Sequence, residues 1–119
     1  MLKNLVSKEE FSSFLQNNED KLVLVKFSAE WCGSCRNLQE NIKKLLAELE
    51  KSGERLKNLV MLEVDADRFP QLEYQDENQK VQQLIIYSLP TLFLFRQGKI
   101  LKKAVGSMSI QQLQEFINI

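Results

Sequence analysis

The sequence has no histidine among its 119 residues, and it has only two cysteines. The absence of histidine excludes a cysteine–histidine nucleophile and most general-base schemes near neutral pH. Zinc usually takes four ligands from cysteine and histidine, so a metal site would require a second chain. We therefore expect no metal and no other bound cofactor.

The chain also lacks net charge and long apolar runs. Sixteen basic residues balance sixteen acidic ones, so no overall field favours nucleic acid, a membrane surface or strongly acidic substrates. No stretch approaches the roughly 20 apolar residues of a membrane span, and the N-terminus has no long apolar segment typical of a secretion signal. We expect a cytoplasmic protein with one domain over residues 1–119. We also expect a monomer, although zero net charge permits association.

Both cysteines and the one tryptophan lie in the sequence WCGSC at residues 31–35. An apolar run from Leu22 to Phe27 precedes this motif, and a helical pattern begins at Cys35. If the run is a buried strand, the motif is a strand-to-helix turn with Cys32 at the positive end of the helix, which favours thiolate over thiol.

The spacing of the cysteines lets their sulfurs close a small disulfide ring. Such a ring is a poor structural staple, because it removes little entropy from the unfolded chain. The pair is instead suited to thiol–disulfide exchange, with an inert disulfide and half of a bridging metal site as the alternatives. In this geometry Cys32, at the exposed start of the helix, is the attacking thiol. Cys35, one turn further in and more buried, is the resolving thiol.

Two further segments complete a family pattern. Ser88-Leu89-Pro90-Thr91 precedes a second apolar strand, and Gly106 follows a third. With the WCGSC motif, these segments make the chain resemble the thioredoxin family over nearly its whole length. The resemblance implies an α/β thioredoxin fold in the order β-α-β-α-β-α-β-β-α, with a central mixed sheet flanked by helices on both faces.

The same resemblance implies a protein-disulfide reductase. Its partners would be disulfide-containing protein substrates and a separate reductase that returns electrons to the pair. Two other functions stay open: a disulfide oxidant or isomerase, and a client-binding module whose cysteines rarely cycle.

The resemblance also implies a substrate groove beside the cysteines. Trp31 would be a flat apolar platform, with a core aromatic as the alternative. Pro90 would be a cis-proline that lets the Leu89 backbone pair with an extended substrate segment, and the alternative is a trans-proline that starts a strand. Gly106 would line the same groove or simply form a turn.

Three residues near the motif depart from the family pattern. Ser34 replaces the proline that many thioredoxins carry after Gly33, and its hydroxyl and N–H can stabilise a thiolate. We therefore expect a less negative reduction potential than in a WCGPC relative. Lys26 stands where family reductases commonly carry a buried acid, and Glu63 aligns roughly with the lysine that pairs with that acid. We predict a charge-swapped pair in which Glu63 serves as proton acceptor for Cys35; the alternative is a lysine whose stem runs to solvent.

Local patterns predict the remaining elements. Capping boxes indicate helix starts at residues 7–10 and 109–112, and a first short strand is expected over residues 2–6. The helix after the motif should end near Gly53 and be straighter than in relatives, because Glu40 replaces a kinking proline. Residues 91–105 predict a hairpin around Gln97-Gly98. A helix is expected after residues 65–67, and the polar patch at residues 73–80 is interpreted as an extended surface helix or loop, with a partner-selecting lip as the alternative.

Overall fold

The computed structural model describes residues 2–53 and 58–118. The elements in chain order are β1 (Leu2–Asn4), α1 (Glu9–Asn17), β2 (Leu22–Ser28), α2 (Gly33–Ser52), β3 (Leu59–Asp65), β4 (Gln71–Gln75), β5 (Val81–Ile85), β6 (Thr91–Arg96), β7 (Lys99–Val105) and α3 (Ile110–Ile117). None of the helices in the described ranges is long and apolar enough to cross a membrane.

Five strands form one mixed sheet in the order β1-β3-β2-β6-β7. The strands β1, β3 and β2 run parallel, whereas β6 is antiparallel to β2 and β7 is antiparallel to β6. The central strand β2 is buried from Val23 to Phe27, as its nearly continuous apolar run predicts. Its carboxyl end, from which the cysteine motif continues, therefore lies in the middle of the sheet.

Helices cover both faces of this sheet, as predicted. Alternation along β2 places Val25 in the core beneath α1, which contributes Phe11. The neighbouring Leu24 lies in the core on the opposite face, with Leu38 of α2 and Leu113 of α3. The strand β2 is thus covered by packed side chains on both sides.

The helix boundaries agree with the sequence except at the first helix. The long helix α2 is continuous and ends at Gly53, which has a φ of 76°, and Ser109 and Gln112 form the predicted capping box of α3. The capping box predicted at Ser7 is wrong, because Lys8 is the N-cap and makes no side-chain cap bond. The Glu10 carboxylate instead accepts a hydrogen bond from the Val6 N–H at 3.1 Å.

Residues 71–85 form a β-hairpin where the sequence analysis expected a helix or a loop. The strands β4 and β5 pair antiparallel as a separate two-stranded sheet, so the predicted order of elements is wrong at this position. The reason lies in a period-two pattern: in β4, the buried Leu72 and Tyr74 alternate with exposed polar residues. These two side chains join the core beneath α1, so the hairpin covers the sheet face that the missing helix would have covered.

Asp76 organises the turn of this hairpin. Its Oδ1 accepts hydrogen bonds from the N–H groups of Asn78 at 2.8 Å and Lys80 at 3.0 Å, and its Oδ2 accepts one from Gln82 Nε2 at 2.9 Å. The Gln82 amide, with these N–H groups, lowers the pKa of the Asp76 carboxyl. The pKa of the Tyr74 hydroxyl is raised, first by burial and then by the nearby carboxylates of Asp76 and Glu77.

The hairpin is held in place from two sides. Gln75 donates its N–H to Ser12 Oγ of α1 at 3.1 Å, and its side chain accepts a hydrogen bond from Gln16 at 2.9 Å. The turn between β6 and β7 approaches the hairpin closely at Gly98: a Cβ there would lie 3.1 Å from the backbone of Asp76 and of Glu77.

The close approach at Gly98 predicts a stability difference between two glycine substitutions. Gly53 and Gly98 both have positive φ, but a Cβ at Gly53 would meet none of the described residues within 4 Å. We expect Gly53→Ala to lower the free energy of unfolding by about 1–2 kcal/mol through backbone strain. Gly98→Ala should cost about 1–3 kcal/mol more, because backbone must also move. Urea unfolding of both variants measures the difference, and equal losses would contradict the packing described here.

Candidate active site

The two cysteines form a disulfide at the N-terminus of α2. Cys32 is the N-cap residue, and its sulfur accepts a hydrogen bond from the N–H of Cys35 at 3.3 Å. The chain reaches this position by a tight turn after β2, in which Cys32 N–H bonds to the carbonyl of Ala29 at 3.2 Å. When the pair is reduced, the helix terminus and this N–H favour negative charge on the Cys32 sulfur.

Cys32 is less exposed than the sequence suggested, whereas Cys35 is buried as expected. Cys32 is 6% exposed and Cys35 is 3% exposed, so Cys32 is more buried than its predicted position at an exposed helix start implies. The reason is packing, because the two residues form a small cluster with Ala29, and Leu89 packs against it. Cys32 is still the more accessible of the two.

Leu89, Pro90 and Gly106 lie together beside the disulfide. The Leu89–Pro90 peptide bond is cis, as the family resemblance implies. Gly106, with a φ of 99°, donates its N–H to the carbonyl of Pro90 at 2.9 Å. Thr91 Oγ1 donates a hydrogen bond to the carbonyl of Ser88 at 2.6 Å, which closes the bend before β6. The structure therefore brings these three predicted groove residues to one place.

Trp31 is a surface residue next to the disulfide, and its side chain is held in position. It is 68% exposed, which agrees with a platform and not with a core aromatic. Its Nε1 donates to the carboxylate of Asp67, at 3.0 Å to Oδ2 and 3.2 Å to Oδ1. Asp67 was not among the site residues predicted from the sequence. The available signal was its position just after β3, because parallel neighbours such as β2 and β3 end at the same edge of a sheet.

The immediate neighbours of Cys32 in the motif differ in what they contribute. The hydroxyl of Ser34 lies 3.4 Å from Cys32 Sγ, within hydrogen-bond distance for sulfur. A Cβ at Gly33 would meet no atom of the described residues within 4 Å, so crowding by these residues does not require a glycine here. Tyr87 is a further exposed aromatic near the groove that the sequence analysis did not single out; it lies two residues before Leu89.

Lys26 is buried beneath the site and forms the predicted pair with Glu63. The two residues are register partners in β2 and β3, and Lys26 Nζ lies 3.0 Å from Glu63 Oε2. Lys26 is 1% exposed, so its side chain does not run to solvent. Its ammonium also donates a hydrogen bond to Gln39 Oε1 of α2, and Ser28 Oγ donates to Glu63 Oε1 at 2.7 Å.

The geometry at Glu63 leaves one oxygen with spare accepting capacity. Among the described residues no hydrogen bond of good geometry reaches the buried Oε2, so its contact with Lys26 is an ion pair alone. A crevice of about 380 Å³ lies beside this pair, and its walls include Lys26, Gln39, Glu63 and Cys35. Within residues 2–53 and 58–118, no three cysteine, histidine or acidic side chains are grouped as metal ligands.

Comparison with known proteins gives consistent results for sequence and structure. The Thioredoxin family model matches residues 3–119. The chain is 32% identical to a thioredoxin of Chlamydia trachomatis over 114 residues, which are 96% of this chain and 94% of that protein. It is 32% identical to a thioredoxin-like protein of Synechocystis over 117 residues, which are 92% of this chain and 97% of that protein.

Solved structures with the same fold share less sequence. The Drosophila melanogaster germline-specific thioredoxin Deadhead superposes with a TM-score of 0.68 at 22% identity, covering 97% of this chain and 95% of that one. The Fasciola hepatica thioredoxin gives a TM-score of 0.69 at 20% identity with the same coverage. The family model and the sequence relatives agree with the cysteine pair at the helix terminus, and the chain belongs to the thioredoxin family of thiol–disulfide oxidoreductases.

Proposed function

We propose that the protein is a cytoplasmic protein-disulfide reductase. The observation that carries this proposal is the position of the Cys32 sulfur at the N-terminus of α2, next to Cys35 and beside the groove at Leu89. A client segment would pair with the Leu89 backbone as an added strand and would contact the exposed face of Trp31. Gly106, held against Pro90, would line the opposite part of this groove.

The reaction has two exchange steps. The Cys32 thiolate attacks one sulfur of the client disulfide, a mixed disulfide forms, and the other client sulfur leaves as a thiolate. Cys35 then loses its proton and attacks the Cys32 sulfur, which releases the second client thiolate and forms the Cys32–Cys35 disulfide. The client gains the two electrons that the dithiol loses, and a separate reductase returns two electrons to the protein.

Glu63 would accept the proton of Cys35. Glu63 and Cys35 line the same crevice, so water in that crevice can carry the proton from the thiol to the carboxylate. Lys26 would hold the carboxylate in place through the ion pair, with Gln39 holding the ammonium on the other side. The polarity of the pair is then opposite to the family pattern, but a carboxylate still lies beneath the resolving cysteine.

A second candidate function is disulfide oxidation or isomerisation. The observation that favours it is the Ser34 hydroxyl, 3.4 Å from the Cys32 sulfur. Together with the Cys35 N–H, this hydroxyl would stabilise the Cys32 thiolate. Stabilising the reduced form makes a dithiol couple more oxidising.

The roles of the two cysteines are tested by separate serine substitutions. With insulin as the protein disulfide and dithiothreitol as the reductant, Cys32→Ser should reduce insulin no faster than dithiothreitol alone, because the attacking sulfur is gone. Cys35→Ser should stop after the first step, and mass spectrometry should show a covalent adduct of client and protein at Cys32. Insulin reduction at the original rate by Cys32→Ser would contradict the proposal.

The role of Glu63 is tested by the pH dependence of the second step. In Glu63→Gln, resolution of the mixed disulfide should slow by up to about 100-fold at neutral pH and should recover as pH rises, because solvent base then removes the Cys35 proton. Single-turnover kinetics from pH 5 to 9 measure this profile. The free energy of unfolding should also fall by about 3 kcal/mol, because Lys26 is left buried without a counter-ion.

The control for Glu63→Gln is Glu50→Gln, which makes the same charge change on an exposed residue near the far end of α2. Its pH profile should match that of the unsubstituted protein. If the Glu63→Gln profile also matches that of the unsubstituted protein, Glu63 takes no part in the proton transfer. A loss of stability without a change in the pH profile would then show that the Lys26–Glu63 pair is purely structural.

A further inference from the structure

The β4–β5 hairpin has one free backbone edge. The outer edge of β4 faces α1, where Gln75 N–H bonds to Ser12 Oγ. The strand β5 pairs with β4 alone in a two-stranded sheet. The other edge of β5 therefore has no strand partner within residues 2–53 and 58–118.

The hydrogen-bond pattern identifies the groups at this edge. The bonds Asp76 N–H to Lys80 carbonyl and Ile86 N–H to Pro70 carbonyl, each at 2.9–3.1 Å, close the hairpin at its two ends. Backbone groups of even-numbered residues in β5 consequently face β4. The N–H and C=O groups of Val81, Gln83 and Ile85 point away from it and are available to another strand.

The edge of β5 also lacks the protection that edge strands usually carry. Its five residues include no charge and no proline, and Val81 is 61% exposed and Ile85 43% exposed. In contrast, the edge strand β7 contains Lys99, Lys102 and Lys103. An uncharged edge with apolar side chains is a template for strand addition.

A short segment of chain connects this strand to the groove beside the disulfide. Leu89 lies four positions after Ile85, a distance of at most about 13 Å along an extended chain. The connecting segment carries the exposed side chain of Tyr87. A client strand that pairs with Leu89 can therefore continue along β5 without leaving the surface.

We propose that the free edge of β5 is a second docking element for the client. This edge pairs by strand addition with the part of the client that continues beyond the reactive cysteine. The proposal rests on the proposed exchange reaction at Cys32. Antiparallel pairing places the residues C-terminal to the client cysteine along β5, about four to eight positions away. The preferred client segment is extended and uncharged, with apolar side chains that meet Val81 and Ile85.

A client is favoured over a second copy of this chain as the occupant. Pairing of two five-residue edges buries much less than the roughly 1,200 Å² of a stable interface. A client is already held at Leu89 and Cys32, so the added strand forms within one complex and pays no second association cost.

The first test uses the unsubstituted protein and three disulfide peptides of identical core. One peptide ends two residues after its cysteine, one carries an uncharged Val/Thr extension of eight residues at the C-terminus, and one carries the same extension at the N-terminus. The C-terminal extension should lower KM about tenfold or more with kcat unchanged, since two or three backbone hydrogen bonds are added. Equal KM values for all three peptides, or an equal gain from the N-terminal extension, would overturn the proposal.

The second test uses a matched pair of substitutions at Gln83. Gln83→Pro removes the central outward N–H without removing a backbone hydrogen bond to β4, whereas Gln83→Ala keeps that N–H. Both variants lose the side-chain hydrogen bond from Gln83 Nε2 to Glu73 Oε1 at 3.4 Å, so that loss is matched between them. We expect Gln83→Pro to abolish the KM gain of the C-terminal extension and Gln83→Ala to retain it within twofold. Retention of the gain by Gln83→Pro would contradict pairing at β5.

A small aromatic disulfide separates this proposal from the exchange reaction itself. The unsubstituted protein and both variants should reduce 5,5′-dithiobis(2-nitrobenzoate) at equal rates, since that substrate cannot reach β5. Failure of the unsubstituted protein to reduce it would contradict the proposed function. Normal reduction of this substrate without a KM gain from the peptide extension would overturn the docking proposal alone. The docking proposal would also be overturned if the protein formed a concentration-dependent dimer that Gln83→Pro abolishes and that the extended peptide does not displace.

Discussion

The docking of the α2 N-terminus on the carboxyl end of β2 is the constraint on which the site depends. The strand is buried on both faces, so its end is fixed in the centre of the sheet. The turn through Ala29 then places Cys32 as the N-cap of a 20-residue helix. One local arrangement therefore brings the sulfur to the positive end of the helix dipole and holds Cys35 one turn away. The groove residues reach the same point from β6 and β7.

The buried pair beneath the site shows how a sheet can accommodate a charge change. Lys26 and Glu63 are direct register partners on neighbouring parallel strands, on the face that α2 covers. A lysine alone at this depth would be costly, because burial disfavours its charged form. The ion pair with Glu63 and the hydrogen bond to Gln39 offset that cost, and Ser28 holds the other carboxylate oxygen. Compared with the family pattern, the acidic and the basic residue have exchanged strands, but both still lie below the cysteines.

The features that could be predicted from the sequence were those determined by residues close together in the chain. The motif at residues 31–35, the apolar run of β2 and the Ser109 capping box all depend on neighbours in the chain, and each was predicted with its bounds nearly right. The Lys26–Glu63 pair was predictable from the family resemblance, because Lys26 stands at the position of the buried acid and Glu63 aligns roughly with the lysine that pairs with it. The hairpin at residues 71–85 was not predicted, although the alternation around Leu72 and Tyr74 indicates a strand, since the family pattern suggested a helix there. The contact of Trp31 with Asp67 joins residues from separate loops, so only the shared sheet edge could have indicated it.

The reduction potential of the Cys32–Cys35 couple tests the central claim most directly. Equilibration of the protein against glutathione buffers, with the dithiol fraction measured by alkylation and mass spectrometry, gives this value. The reduction potential of thioredoxin is about −270 mV, and that of protein disulfide isomerase is about −180 mV. A reductase with Ser34 beside the attacking sulfur should lie between about −270 and −200 mV, and a Ser34→Pro variant should be more negative. A potential near about −120 mV, typical of a strong oxidant, would contradict the reductase function and favour disulfide formation.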